Sequence, residues 1–236
     1  MNRLVKSAVL LFAGALGIGG VTFVWVPEQF IETACERMRP KGNSNPCVDG
    51  FFVDRRDGKR YGCRKFGTQN WMTQNLEFGA IVPGSSGQGN ATHSKAQKHC
   101  PDDLEESCKR EGALYQWHTA MALPMQFDHY AADGKIGSPH RGICPEGWHI
   151  PSREENEAKN EWKAQTGDVN SISVIGILTE TDEMDNEDAG GSAMIWSATE
   201  TVLDGSNYAV ALGAETGESW QWGNRTMSLA VRCVED

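Results

Sequence analysis

The 236-residue chain has no lysine or arginine between Ala164 and Asn224, although carboxylates are frequent there. The eleven acidic residues of this stretch are Asp168, Glu180, Asp182, Glu183, Asp185, Glu187, Asp188, Glu200, Asp204, Glu215 and Glu218. Over the whole chain, 22 basic residues stand against 32 acidic ones, for a net charge of −10. Because nucleic-acid binding relies on clustered cations, this balance argues against a nucleic acid as partner.

Closely spaced cysteine pairs are also missing. The seven cysteines all follow residue 34, and none forms a Cys-x-x-Cys pair. Structural zinc sites commonly draw their ligands from such pairs, so we do not expect one. This cysteine usage is typical of an oxidising compartment, where six cysteines can form three disulfides and leave one over.

Charged residues are absent from the 20 residues between Ser7 and Val26, which follow the basic Arg3 and Lys6. The pattern predicts either a signal peptide cleaved near Ala15 or an uncleaved signal anchor, and the apolar residues beyond Ala15 favour the anchor. A helix that packs in a filament is a further alternative. In each case the rest of the chain is exported. We therefore expect a signal anchor or signal peptide over 1–26, a short helix and linker over 27–46, and one domain over 47–236.

The domain sequence predicts a hairpin around Asp57-Gly58, followed by an extended segment, and a helix over Ala113–Leu123 from its apolar spacing. Ser152 and Glu155 form a capping box that starts a second helix, which Gly167 ends. Three strands, "NYAVALG", "ESWQWG" and "MSLAVRCV", close the chain. In the last of these, alternation predicts burial of one face only. The order of elements indicates an α+β class with a mainly antiparallel sheet.

Five blocks of sequence, taken in order, resemble a known family. They are "DRRDGKRYGCRKFGTQNWMTQNL", "CKREGALYQWHTAM", "GICPEGWHIPSREE", "IWSATE" and "LAVRCVED". These blocks are similar to those of the Fibrobacter succinogenes major paralogous domain family of exported bacterial domains. The resemblance implies a C-type-lectin-like fold, with two helices flanking a small sheet and long loops, and a role in surface binding or adhesion.

The chain departs from the family pattern in the helix after the Pro-Ser pair. Asn156 and Lys159 stand where the family places an aromatic and an aliphatic residue. We therefore expect Ala158 and Trp162 to supply the buried face of this helix instead.

The resemblance also bears on the cysteines. Cys144 and Cys233 correspond to a bridge of lectin-like folds, and closing so long a loop would contribute roughly 4 kcal/mol in the chain-entropy model. Cys100 with Cys108, and Cys47 with Cys63 across the first hairpin, are the other expected pairs. Cys35 is left over, either as a free thiol or as a partner for another chain.

Two features could carry chemistry near the second helix and in the acidic stretch. Cys144 and His149 are close in sequence, as a nucleophile and its base would be, but a disulfide at Cys144 would leave Trp148 and His149 with structural roles. The acidic run is a candidate calcium loop, although a solvated loop competes with that interpretation. Its expected ligands are Asp182, Asp185, Asp188, Glu200 and Asp204.

Trp220 and Trp222 lie two residues apart on a predicted strand and therefore share one face. If they point outward, they form a stacking platform for sugar rings, with Asn207, Asn224 and Arg225 as polar partners; if inward, they are core. We thus expect an exported, membrane-tethered or secreted module that binds a surface glycan or protein ligand. The alternative is an assembly subunit that self-associates through its N-terminal helix, and nothing specific favours an enzyme.

Overall fold

A computed structural model describes residues 45–167, 194–203, 206–213 and 220–236, with the backbone alone for parts of the last strands. The expected signal segment over 1–26, nearly all of the expected segment over 27–46, and the acidic run from Glu180 to Asp188 lie outside these residues. The described chain is α+β, with more sheet than helix.

The strands in chain order are β1 (Phe51–Val53), β2 (Arg60–Phe66), β3 (Gln69–Met72), β4 (Ala80–Ile81), β5 (Gln97–Lys98), β6 (Leu114–Gln116), β7 (Trp148–His149), β8 (Met194–Leu203), β9 (Ser206–Gly213), β10 (Trp220–Asn224), β11 (Ser228–Ala230) and β12 (Val234–Glu235). The α-helices are α1 (Glu105–Glu111), α2 (Trp117–Ala120) and α3 (Arg153–Thr166). Two 3-10 turns span Pro101–Asp103 and Met125–Asp128.

Two five-stranded sheets organise the described chain. The first has the order β1-β2-β3-β12-β7 and is antiparallel throughout. The second has the order β10-β9-β8-β11-β6, with β8 and β11 as its parallel pair. The expected hairpin is confirmed as β1 and β2, and Gly58 takes the positive φ of 76° that its turn requires.

Buried tryptophans form much of the core, and three of them donate their indole N–H groups to backbone carbonyls. Trp148 donates to Asn45, Trp117 to Ser197 and Trp196 to the carbonyl of Tyr115, at 2.6–3.2 Å. Because each polar edge is satisfied, these large rings are buried without leaving an unpaired donor.

Three disulfides cross-link the domain: Cys47–Cys63, Cys100–Cys108 and Cys144–Cys233. They are the three pairs that the family resemblance and the hairpin suggested. Cys144–Cys233 joins the segment before α3 to the residue before β12, across 89 positions of sequence. Cys35 lies outside the described residues.

Helix α3 begins and ends where the sequence predicts. Ser152 accepts from the backbone N–H of Glu155, the Glu155 carboxylate accepts from the N–H of Ser152, and Gly167 ends the helix in the left-handed region. The expected buried face was wrong, however. Ala158 is exposed and Trp162 only partly buried, whereas Asn156 and Lys159 are the buried residues of this helix. The inward positions of the helix are thus occupied by two polar side chains.

Two further expectations were wrong in part. The predicted helix over Ala113–Leu123 begins only at Trp117, because Leu114–Gln116 pairs with Ser228–Ala230 as a strand. The predicted one-sided burial after Met227 also fails, since Ser228 and Arg232 are buried as well as their apolar neighbours. Strand β11 lies between β8 and β6 inside the second sheet, and its three residues are all buried.

Candidate functional site

The corner before helix α3 is structural. Cys144 is bonded to Cys233, so it cannot act as a nucleophile. His149 instead contacts two carboxylates, with Nε2 2.9 Å from Glu155 Oε1 and Nδ1 2.7 Å from Asp236 Oδ1. Trp148 and His149 are buried, in agreement with the structural role expected for them.

Electrostatics tie this corner together. Burial alone would lower the pKa of His149, but its hydrogen bonds to Glu155 and Asp236 outweigh that effect and raise it. Burial alone would raise the pKa of Glu155, yet contacts with His149, the Ser152 N–H and Gln69 lower it to about 2. The corner therefore holds a carboxylate that stays ionised, facing an imidazole that gains a proton readily.

The structure describes only part of the expected ligand-binding strand. Trp220 and Trp222 lie on β10, opposite Leu212 and Val210 of β9, and Asn207 lies opposite Val202 of β8. The side chains of these three expected ligand residues are outside the description, so their expected roles stay predictions. Asn224 is exposed, and its Oδ1 accepts from the backbone N–H and hydroxyl of Thr226.

Arg225 differs from the expectation, because its side chain is buried and its contacts are with other parts of the fold. Its guanidinium donates to Glu200 Oε2 at 2.8 Å and to the carbonyls of Phe127 and Tyr130, and it lies 4.0 Å from the centre of the Trp117 ring. Arg225 therefore holds a loop in place. Glu200, an expected calcium ligand, is engaged in the same ion pair.

The remaining expected calcium ligands, Asp182, Asp185, Asp188 and Asp204, lie outside the described residues. Within the described ranges, no three His, Cys, Asp or Glu side chains stand together as a metal site would need. The calcium interpretation therefore stays a prediction about the acidic run.

A small cleft of about 270 Å³ lies between helix α3 and the β2–β3 turn. Its volume is near the lower end for small-molecule sites and would hold about one sugar ring. Phe66 and Trp71 are its most buried aromatic residues, and Trp162 is a partly exposed one. The cleft thus combines an apolar base with an accessible indole.

Trp162 is held from two sides. Its ring meets the Phe66 ring edge-on, with centroids 5.8 Å apart and planes at 86°. Gly67, with a φ of 58°, lies beneath it, and a side-chain carbon at that position would sit 3.7 Å from the indole. Because Gly67 has no side chain, only the backbone of the turn covers this side of the indole. Part of the ring therefore remains exposed to solvent.

Polar side chains border the cleft. Thr68, Glu161 and Gln165 are exposed, and Gln165 donates to Glu161 at 3.0 Å. Gln69 is oriented by a 2.6 Å hydrogen bond to Glu155 Oε1, which links the cleft to the capped start of α3. An aromatic ring next to carboxamide, hydroxyl and carboxylate groups is suited to a ligand with both an apolar face and hydroxyls.

Lys159 also lines the cleft, although only 4% of its surface is exposed. Its Nζ donates to Asn156 Oδ1 at 2.7 Å and lies 4.4 Å from the centre of the Trp71 ring. Burial, with smaller contributions from the cations of Arg232 and Lys163, lowers the pKa of Lys159 to about 7. The amine is therefore close to half-protonated at neutral pH.

A larger groove, of about 830 Å³, lies elsewhere and has charged walls. Lys59 and Lys98 both contact Glu77 Oε1, at 2.7 and 2.9 Å, and Arg110 pairs with Glu111. Two lysines thus share one carboxylate, and the groove contains no tryptophan among its lining residues. We therefore regard the smaller cleft as the better candidate site.

Sequence reasoning placed Trp162 in the core and did not single out Lys159 as a site residue. The signal was present in the helix itself, since the capping box fixes where α3 starts. Asn156 and Lys159, three residues apart, then share one face of the helix. A helix with polar residues at its inward positions has to border either a polar interior or a cleft.

Among the described residues, no helix reaches both the length and the apolar character that a membrane crossing requires. The fold and cleft define the described chain as a disulfide-linked α+β domain. Residues 65–164 match the model of the Fibrobacter succinogenes major domain, in agreement with the resemblance that the sequence blocks carry. The match runs from the end of β2 to nearly the end of α3 and so includes every cleft residue named above except Gln165. No curated protein and no solved structure matches the chain.

Proposed function

We propose that the chain is an exported binding module of C-type-lectin-like fold, and that it takes a surface glycan in the cleft beside α3. The fold proposal is supported by the family match, the α+β class and the Cys144–Cys233 bridge. Export is supported by three disulfides, which persist in oxidising compartments, and by the uncharged run near the N-terminus. That run would tether the module to the cell envelope.

The observation that carries the glycan proposal is the partly exposed ring of Trp162. Sugars present an apolar face of C–H groups, which packs on an aromatic ring, while their hydroxyls require hydrogen-bonding groups around it. Thr68, Gln69 and Gln165 provide such groups at the edge of the cleft. Trp162 is also anchored by Phe66 and Gly67, so little side-chain entropy is lost when a ligand stacks on it.

The test is binding of the purified full-length chain to an array of soluble oligosaccharides, followed by titration calorimetry with those that bind. We expect Trp162→Ala to weaken binding at least tenfold, since a central aromatic anchor commonly contributes 2 kcal/mol or more. Tyr130→Ala is the matched control because Tyr130 is 67% exposed and does not line the cleft. Thermal melts of both variants verify that they fold.

A chain that binds no oligosaccharide, or a Trp162→Ala variant that binds as the parent does, contradicts the proposal. Self-association of the full chain without any glycan binding would instead favour the assembly role. Binding that persists in a chelator would show that the calcium ligands expected in the acidic run are not needed.

A further inference from the structure

Lys159 is unusual because it is a buried amine inside a binding cleft. Lysine has three N–H donors when charged, and the Asn156 carboxamide is its hydrogen-bond acceptor at 2.7 Å. Within the described part of the chain, no carboxylate pairs with it. Burying a cation without an opposite charge is costly, so a position of this kind needs an explanation.

Two cations are recorded as acting on Lys159 among the described residues. Arg232, which precedes β12, and Lys163, one turn further along α3, both act to lower its pKa. The residues that the β2–β3 turn contributes to the cleft are uncharged, and Glu161 on the rim is the carboxylate among the lining residues. Among the described residues, the charges recorded as acting on Lys159 are therefore positive, although the chain as a whole is acidic.

We propose that the cleft selects a sugar ring that carries a carboxylate, and that the carboxylate pairs with Nζ of Lys159. This inference rests on the proposed glycan-binding function and specifies its ligand class. The ring of the sugar would stack on Trp162, and its acid group would reach down to the amine. A charge-assisted hydrogen bond in a desolvated site is roughly twice as strong as a neutral one. The ligand would thus supply a counter-charge that none of the described residues provides.

The pairing has a pH dependence with a definite sign. A bound carboxylate favours the charged amine, so the pKa of Lys159 rises on binding and a proton is taken up above the free-state value of about 7. Affinity for the acidic sugar should be constant below that pH and should fall as the pH rises above it. Neutral sugars should show no such trend, because they do not need the charge.

The experiment compares two oligosaccharides that differ only in whether C6 is a hydroxymethyl group or a carboxylate, such as glucose-based and glucuronate-containing forms. Titration calorimetry at pH 6 with the full-length chain should give at least tenfold tighter binding of the acid form. Lys159→Met should remove this preference, so the ratio of the two affinities, measured on the same variant, should fall to about one. Lys163→Met removes the same charge from the next turn of α3 and should keep most of the preference.

The outcomes separate the two proposals. Equal affinity for both sugars, or a preference that survives in Lys159→Met, overturns the carboxylate assignment and leaves glycan binding intact. A chain that binds neither sugar overturns both proposals. A preference that is lost in Lys159→Met, and that decreases from pH 6 to pH 9 in the parent chain, supports the assignment. Trp162→Ala should weaken the binding of both sugars to the same extent.

Discussion

Helix α3 carries ionisable side chains in two partly or fully buried places, and the surroundings favour the charged form in one place and disfavour it in the other. At its N-terminus, Glu155 and His149 face each other, with Asp236 and Gln69 completing the contacts. One turn further, Lys159 is buried against an amide and the Trp71 ring. The first arrangement stabilises the charged forms of its groups, whereas the second destabilises the charged form. The N-terminal corner is therefore built for stability, whereas Lys159 is paired with no carboxylate among the described residues.

The largest expected effect comes from breaking the corner with Glu155→Ala. A pKa of about 2, against 4.5 for an ordinary glutamate, corresponds to about 3 kcal/mol of stabilisation at neutral pH. Because the pKa is lowered, this contribution is present above pH 4.5 and is lost as the pH falls toward 2. Urea unfolding at pH 7 measures the loss.

Two variants control this experiment. Glu155→Gln preserves the geometry of the capping box and should lose less stability, since glutamine also serves at that position. Glu154→Ala removes an exposed carboxylate one residue earlier and should change stability little. If Glu155→Ala and Glu154→Ala unfold at the same urea concentration, the corner does not have the role assigned to it.

An effect of opposite sign is expected from Lys159→Met. Replacing a buried, poorly compensated amine with an apolar side chain of similar length should stabilise the fold by about 1–2 kcal/mol at pH 7. The folded pKa of about 7 lies below the ordinary 10.5, so the unfolded chain binds more protons between these values. Stability of the parent chain should therefore rise from pH 7 toward pH 10, and the variant should lack that rise.

Paired urea unfolding curves at pH 7 and pH 9 measure this difference. Lys163→Met serves as the control, since Lys163 lies on the same helix but is less buried. A loss of stability in Lys159→Met at pH 7 would show that the contacts with Asn156 and Trp71 outweigh the cost of burial.

The smallest effect should follow His149→Gln. The pKa of His149 is raised, so its contribution is fully present below pH 6.5 and disappears as the pH rises through the folded value. We expect a loss of about 1 kcal/mol at pH 5.5 and a smaller one at pH 8.5. His140→Gln is a useful contrast, because burial lowers the pKa of His140 and reverses the sign of the trend. A loss that does not depend on pH would point to packing alone.

Local motifs explain which parts of the fold the sequence predicts. The capping box at Ser152, the glycine stop at Gly167 and the first hairpin each depend on a few neighbouring residues, and all three are found where expected. Strand β6 depends on a partner more than a hundred positions away, so helical periodicity alone was misleading there. Pairing between distant strands overrides local preference.

The cleft was harder to predict than the fold, for a related reason. Which side of α3 faces inward depends on how the helix docks against the β2–β3 turn and on the absence of a side chain at Gly67. Asn156 and Lys159 stand where the resemblance implies apolar residues, and this marked the helix as unusual. The sequence does not show that these two polar side chains are themselves buried, or that Trp162 is therefore only partly buried at the edge of the cleft.

The Cys144–Cys233 bridge has a consequence for how the protein survives damage. It closes a covalent ring that contains helix α3 and most strands of the second sheet, as well as the whole acidic run. A protease that cuts the backbone once anywhere between these cysteines opens the ring without releasing a fragment. The C-terminal piece would still carry β12 between β3 and β7, so an exported domain with this connection could be nicked and remain one molecule.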